Sequence, residues 1–308
     1  MTELAPGEAL DHYQILDVIA HSGMATVFRA TDVDGRVVVL KVPHLAYASD
    51  IVFHERFLRE EQIGQRLDHP GVIKVFQPRG KSRLYLAMEH VEGQLLSRRL
   101  QQERRLPVDE AVDIVLKIAD VLVYLHDNDV VHRDLKPENI MLLAGGGVKL
   151  MDFGIALDTT LRKMTWAGMS QSMGTPDYMA PEQVKGRRGD ARTDIYSLGS
   201  MLYEMLTGRV PFSGDNVYAV MRAKLRERPT PPRDIRPEIP AAVEEIVLHA
   251  LETDPRDRFA SALELWQALA DPSTVVFAGR AVRDRSTRHV PHWLRFFRPA
   301  AQRADRAG

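Results

Sequence analysis

The 308-residue chain contains no cysteine. That excludes disulfides, thiolate metal sites, iron–sulfur clusters and cysteine nucleophiles. It also removes the case for a secreted fold that depends on bridges. The chain has no apolar run approaching the ~18 residues that a bilayer-spanning helix needs. Its first ten residues carry Glu3 and Glu8 and no basic residue, unlike a signal peptide. Neither charge is in excess, with 41 Lys and Arg against 42 Asp and Glu, so a chain-wide nucleic-acid surface is not expected. No internal repeat is visible. What remains is a globular composition, 44% apolar and 27% charged. At roughly 150 residues per domain, the length allows two domains or two lobes of one. The expectation is a soluble, cytoplasmic protein.

The balance of charge hides a local imbalance. Residues 271–308 hold eight Arg and three acidic residues, a net +5, and the preceding 270 residues carry −6. The shift begins at Asp271-Pro272, after an apolar helical pattern, so the folded domain is expected to end there. Residues 11–92 read mostly as strand: Tyr13–Ala20, Thr26–Val33, Arg36–Val42, Val72–Gln77 and Leu84–Glu89. Asp34-Gly35 is a two-residue hairpin signal, and Val37 to Leu40 are β-branched or apolar. One helix, Phe53–Leu67, interrupts them, with Asp50 or Ser49 as its cap. Residues 105–270 read mostly as helix. Pro107 suits a first helical position, with Asp109 and Glu110 at the positive end of the dipole. Ile114, Val115, Ile118, Val121, Leu122 and Leu125 follow at helical spacing. A further helix runs from Asp194 to Thr207 and stops at Gly208. Ser261 with Glu264 gives a capping-box start to the last one. The pattern is α+β: a small β-rich lobe before a larger helical lobe, with a cleft between them as the natural ligand site.

Three stretches carry the chemistry: His132-Arg133-Asp134-Leu135-Lys136-Pro137-Glu138-Asn139, then Met151-Asp152-Phe153-Gly154, then Gly174-Thr175-Pro176-Asp177-Tyr178-Met179-Ala180-Pro181-Glu182. In this order they resemble the catalytic loop, the metal-binding D-F-G and the A-P-E of protein kinases. The chain is similar to eukaryotic-type (Hanks-type) serine/threonine kinases. Pro181-Glu182-Gln183 and Arg192-Thr193-Asp194-Ile195-Tyr196-Ser197-Leu198-Gly199 most resemble the bacterial branch. The resemblance covers residues 11–270 and implies a bilobal kinase fold. It puts the N-lobe and the start of the hinge at 11–92 and the C-lobe at 93–270, and the charge shift leaves an Arg-rich tail, expected to be disordered, at 271–308.

Phosphoryl transfer needs positioning and charge neutralisation more than covalent chemistry. By resemblance, Asp134 orients the attacking hydroxyl, as an ionised carboxylate can, and Lys136 meets the γ-phosphate. Asn139 and Asp152 offer oxygen ligands to Mg²⁺, with Mn²⁺ as an alternative. Lys41 would grip the α- and β-phosphates of ATP. Its partner should be Glu60 rather than Glu61, which points about 100° away on a helix. Val27, Val39 and Met141 would line the adenine slot, Met88 would guard its back, and the backbone of Glu89 and Val91 would bond adenine. The loop over the phosphates departs from the family. Where G-x-G-x-x-G-x-V is expected, the chain reads Ala20-His21-Ser22-Gly23-Met24-Ala25-Thr26-Val27. All three pattern glycines are replaced, and Gly23 alone remains at the turn. Positions Ala20 and Ser22 therefore put nucleotide affinity in question, since glycine there permits φ > 0.

Other assignments are structural. Asp194 resembles the buried acid that ties down the catalytic loop, Glu182 and Arg258 an ion pair closing the large lobe, and Thr175 a neighbour of Asp134. The segment between Gly154 and Gly174 holds Thr159, Thr160, Thr165, Ser170 and Ser172. Thr165 and Ser170 are the preferred autophosphorylation sites, because Arg133 could bind a phosphate there. Expected partners are ATP and protein substrates, with a homodimer as one route for input. For the tail, disorder ranks first, then a segment that docks partners or folds back on the large lobe, then a peripheral membrane contact through residues 292–298, with nucleic acid last. An inactive, binding-only kinase fold and a small-molecule kinase are the competing readings. The complete set Lys41, Glu60, Asp134, Asn139 and Asp152 argues against the first, and Gly174–Glu182 against the second.

Overall fold

The computed structural model describes residues 4–21, 23–44, 47, 51–78, 80–153 and 176–281, without the side chains of 51, 52, 55 and 56. The N-terminal part builds one antiparallel sheet. Its strands are β1 (Ala9–Leu10), β2 (Tyr13–His21), β3 (Ala25–Thr31), β4 (Val37–Pro43), β5 (Val75–Phe76) and β6 (Leu86–Glu89), in the order β1-β2-β3-β4-β6-β5. Alternation sorts β4 into two faces. Val38, Leu40 and Val42 are buried with Phe28, Ala30 and Tyr85 in the core of this lobe. Val39 and Lys41 face the other way.

The hairpin between β3 and β4 is wider than the two-residue turn that Asp34-Gly35 suggests. Its loop spans residues 32–36. The Asp32 carboxylate accepts the backbone N–H groups of Asp34 and Arg36, both at 2.9 Å. Gly35 takes the left-handed φ of +78° that closes the loop. An Asx turn thus replaces a tight primed turn. Helix α1 (Ile51–Arg66) crosses the sheet, its expected caps lying outside the described residues. Gly64 lets it approach β5, since a Cβ there would sit 2.4 Å from Val75 Cγ2. Phe57, Val75 and Leu86 are buried together beneath the helix.

The larger lobe begins with β7 (Gly93–Leu95) and α2 (Leu96–Glu103), followed by α3 (Val108–Asp127). Pro107 caps α3 instead of opening it. Strands β8 (Ile140–Leu143) and β9 (Val148–Leu150) complete a three-stranded sheet with β7. Next come α4 (Pro181–Val184), α5 (Ala191–Thr207), α6 (Val217–Arg226), α7 (Pro232–Ile235), α8 (Ala241–Ala250) and α9 (Ala262–Ala270). Helix α5 is the hub. It starts three residues earlier than its sequence suggests, because Asp190 caps it through the Arg192 N–H. It ends at Gly208, whose φ of +77° gives a left-handed stop. Ser261 caps α9 through the Glu264 N–H, while Glu264 reaches back to the N–H of Ala260, one residue before the cap.

The lobes are stitched together. Ile73 N–H donates to the Leu150 carbonyl at 3.0 Å, and Leu150 N–H to the Gly71 carbonyl at 2.7 Å. Residues 271–281, which the sequence places in the basic tail, are described and packed. Ala278 N–H and Arg280 Nη1 both bond the buried carboxylate of Glu245 on α8, at 3.0 and 2.7 Å, and Arg280 Nε bonds Glu252 at 3.0 Å. Residues 282–308 lie outside the described residues. Among the described residues, no helix is long and apolar enough to cross a membrane.

Candidate active site

The sheet register gathers one group of side chains. Val27 pairs with Lys41 and with Ala20, and Val39 pairs with Met88. Ala20, Val27, Val39, Lys41 and Met88 therefore share the face of the sheet that is turned from the lobe's own core. Gly93, across from Leu143, brings β7 close to β8, where Met141 pairs with Leu95. Glu89 and Val91 lie between the two sheets. The Glu89 N–H is engaged by the Lys74 carbonyl at 2.9 Å, so any backbone bond from Glu89 to a ligand must come through its own carbonyl. The Glu89 carboxylate fastens this crossing. It accepts from the Lys74 N–H at 2.8 Å and from Lys149 Nζ at 2.5 Å, and Lys149 also reaches the Val72 carbonyl.

Lys41 is held between two acids. Its Nζ lies 3.1 Å from Glu60 Oε1 and 3.5 Å from Oε2, and it also contacts Asp152 Oδ1. Glu60 is the partner expected on α1. Glu61 bonds Lys81 instead. Burial works against the ammonium, but Glu60 and Asp152 outweigh it and hold Lys41 above its ordinary range. Burial pushes the Glu60 carboxyl up, with only part of that offset by Lys41. Burial would raise Asp152 too, but Lys41, a hydrogen bond with Glu60 and then Lys136 hold it below the usual carboxylate range. One ammonium shared by two carboxylates thus leaves Asp152 the better anion.

The opposite floor is a hydrogen-bonded loop. Lys136 Nζ donates to Asp134 Oδ2 at 2.8 Å. Asn139 Nδ2 donates to the Asp134 carbonyl at 2.8 Å and lies 3.4 Å from Oδ2. These bonds commit the amide nitrogen of Asn139 and leave its oxygen as the donor atom for a cation. A buried acid fixes the backbone behind the loop. Asp194, fully buried, accepts the N–H groups of His132 at 2.9 Å and Arg133 at 2.7 Å, and a contact from His126 Nε2 at 2.9 Å. Gln183 Nε2 holds the Arg133 carbonyl at 2.8 Å. These clamps secure a left-handed Arg133, φ +63°, a conformation costing roughly 1–2 kcal/mol for a residue with a Cβ. His132 joins the two motifs. Its Nδ1 accepts the Asp134 N–H at 3.3 Å, which assigns the ring proton to Nε2, and Nε2 then donates to the Met151 carbonyl at 3.2 Å. The His132 ring lies 5.7 Å from the buried ring of Phe153.

Farther out, Arg258 and Glu182 form a buried bidentate pair with both contacts at 2.8 Å. Thr193 also donates to Glu182, and the Arg258 guanidinium stacks over Tyr196. Ser22, Thr165, Ser170, Thr159, Thr160, Ser172 and Thr175 lie outside the described residues. Gly23 is described and exposed, at the turn between β2 and β3. Ala20 lies in β2 without a left-handed φ, so its Cβ carries no backbone strain. Sequence reasoning passed over His126, Lys149 and Gln183. Each acts on a partner far away in the chain, and two of the three act on backbone atoms.

The donor set fits a hard divalent cation that takes most of its ligands from water and phosphate. It offers one ionised carboxylate and one amide oxygen, beside a lysine suited to phosphate oxygens. The protein kinase domain family matches residues 13–270. The chain is 37% identical over 97% of its length to a probable serine/threonine-protein kinase PknB of Corynebacterium glutamicum, covering 48% of that protein. It is 36% identical to the serine/threonine-protein kinase PrkC of Bacillus subtilis, covering 89% of this chain and 42% of the relative. With the serine/threonine-protein kinase PknB of Mycobacterium leprae the identity is 37%, over 84% of this chain and 43% of that one. The chain thus spans less than half the length of these curated relatives. On a match from residue 13 to residue 270, the chain belongs to the protein kinase family.

Proposed function

We propose that the chain transfers the γ-phosphate of Mg-ATP to serine and threonine hydroxyls of proteins, with residues 11–270 as the catalytic unit. The observation that carries this reading is the joint arrangement of Asp134, Lys136 and Asn139 in one bonded unit, with Asp152 held ionised beside Lys41. Asp134 would accept a hydrogen bond from the substrate hydroxyl and point its lone pair at the phosphorus. Lys136 would follow the charge of the transferred group. Lys41, kept protonated by two carboxylates, would bind the α- and β-phosphate oxygens, with Glu60 fixing its direction. Asn139 and Asp152 would hold the metal, Mg²⁺ or Mn²⁺, whose role is to neutralise phosphate charge. Val27, Val39, Met88 and Met141 would bracket adenine, with Glu89 and Val91 bonding its edge. Ala20, Ser22 and Gly23 would cover the phosphates.

The assay is transfer of label from γ-labelled ATP to a generic basic protein, run beside Asp134→Asn. Incorporation by the wild type and its collapse in the variant support the reading, and equal incorporation by both defeats it. Autophosphorylation at Thr165 or Ser170 belongs to the same proposal. Phosphopeptide mapping of the active protein against Lys41→Met tests it.

A further inference from the structure

Helix α6 carries a lysine where a base at a helix end would ordinarily sit in solvent. Lys224 is fully buried. Its ammonium nitrogen lies 5.2 Å from the centre of the Tyr196 ring and 5.5 Å from that of Phe212. Among the described residues no carboxylate lies within ion-pair distance of it. Its hydrogen-bond partner is a main-chain atom, the carbonyl oxygen of Asp177, at 2.5 Å. Asp177 is the middle residue of the 3-10 turn Pro176–Tyr178. That turn leads directly into Met179-Ala180-Pro181, and so to Gln183, which holds the Arg133 carbonyl beside Asp134. Its other end is tied as well, since Tyr178 Oη donates to Glu204 at 2.5 Å and the Tyr178 carbonyl accepts from Ser197 at 2.9 Å.

A buried lysine without a counter-ion is costly. Methionine or leucine would fill the same aromatic box with no such penalty. What the lysine adds is a donor for one carbonyl that faces the lobe interior. Burial, partly offset by Asp177, pulls the Lys224 ammonium down to about 7, and either protonation state still offers an N–H.

We propose that Lys224 is a positioning residue for the protein substrate: it fixes the Pro176–Tyr178 turn from below, so that the segment beside Asp134 receives the acceptor in register. The proposal rests on the kinase reading above. Lys224 touches neither reactant, so its effect should be confined to the protein substrate.

The test compares wild type, Lys224→Met and Lys224→Gln. Lys224→Met keeps the apolar bulk and removes the donor. Lys224→Gln is one bond shorter and keeps an N–H. Lys224→Met should raise KM for a protein or peptide substrate about tenfold, as expected for one lost buried hydrogen bond, with KM for ATP changed less than about twofold. Lys224→Gln should recover part of the difference. An unchanged substrate KM, an equal rise in both KM values, or a Lys224→Gln protein as impaired as Lys224→Met would overturn the proposal. If the wild type phosphorylates nothing, the kinase reading fails and the tether is judged by amide exchange. Faster exchange at residues 177–184 in Lys224→Met supports the tether, and unchanged exchange defeats it.

Discussion

Asp134 and Lys41 belong to different lobes and are secured by different means. The loop under Asp134 is held through its backbone. Asp194 accepts the main-chain N–H groups of His132 and Arg133, and Gln183 donates to the Arg133 carbonyl that follows them. None of these bonds has to change when a reactant arrives. Lys41 is held by charge, between Glu60 and Asp152, at a partly exposed position. In the proposed function a phosphate would share that ammonium, and a metal would share Asp152. The floor is therefore fixed before binding, whereas the lysine cluster is tuned by what binds. Fixed dipoles favour the step in which charge develops, and shared charges favour capture of the nucleotide.

The comparison can be broken by substitution. The largest effect should come from Asp134→Asn, which should lower kcat about 10²–10⁴-fold, the usual worth of a positioned acid or base. Nucleotide affinity measured by calorimetry should stay close to that of the wild type. Asp194→Ala should come next. It leaves two buried N–H groups without an acceptor and should cost about 2–4 kcal/mol of unfolding free energy in a denaturant titration. Lys41→Met should spare more of the stability and instead weaken nucleotide binding about tenfold or more, through loss of a charged hydrogen bond. A Lys41→Met protein less stable than Asp194→Ala would erase the distinction between the two walls.

Two smaller effects sharpen it. Lys224 is a cation of the large lobe held by no carboxylate among the described residues, and its behaviour with pH should be the reverse of an ion pair's. Between about pH 7 and its ordinary value of 10.5, the unfolded chain keeps the proton that the folded chain has lost. The unfolded state then binds more protons, so stability rises with pH in that window, by up to about 1 kcal/mol per unit. Below pH 7 the burial penalty is present in full. Unfolding curves of wild type minus Lys224→Met at pH 7 and 9 should show this slope. The smallest effect is expected at Ala20. Its φ is not left-handed, so Ala20→Gly relieves no strain and should change nucleotide affinity by less than about twofold.

The residues legible in the sequence are those whose roles depend on near neighbours. Asp134, Lys136 and Asn139 are within five positions of each other, and their bonds follow from that spacing. Lys41 and Glu60 could be paired because a strand end and the next helix face bring them together. The Gly208 stop and the Ser261 cap were equally local. What escaped depends on distant backbone. Gln183 reaches a carbonyl fifty residues earlier, a role that its place in Pro181-Glu182-Gln183 does not reveal. Lys224 carries no motif, and only the fold brings Tyr196 and Phe212 around it. The hairpin was legible at Asp34-Gly35, but its width was set by Asp32, whose carboxylate replaced a tight turn with a broader one. At the phosphate loop the missing glycines raised a question of strain, and the extended backbone of Ala20 answers it for that position.

The strap formed by residues 271–281 bears on how this protein can be cut. Residue 270 ends both the family match and the last long helix among the described residues, and it looks like a natural place to stop an expression fragment. A fragment ending there would leave Glu245, with only 5% of its side chain accessible, as a buried anion stripped of Arg280 and of the Ala278 N–H. Glu252 would lose its arginine as well, in the stretch whose carbonyl holds Arg258. A shortened protein that keeps these contacts must therefore include Arg280.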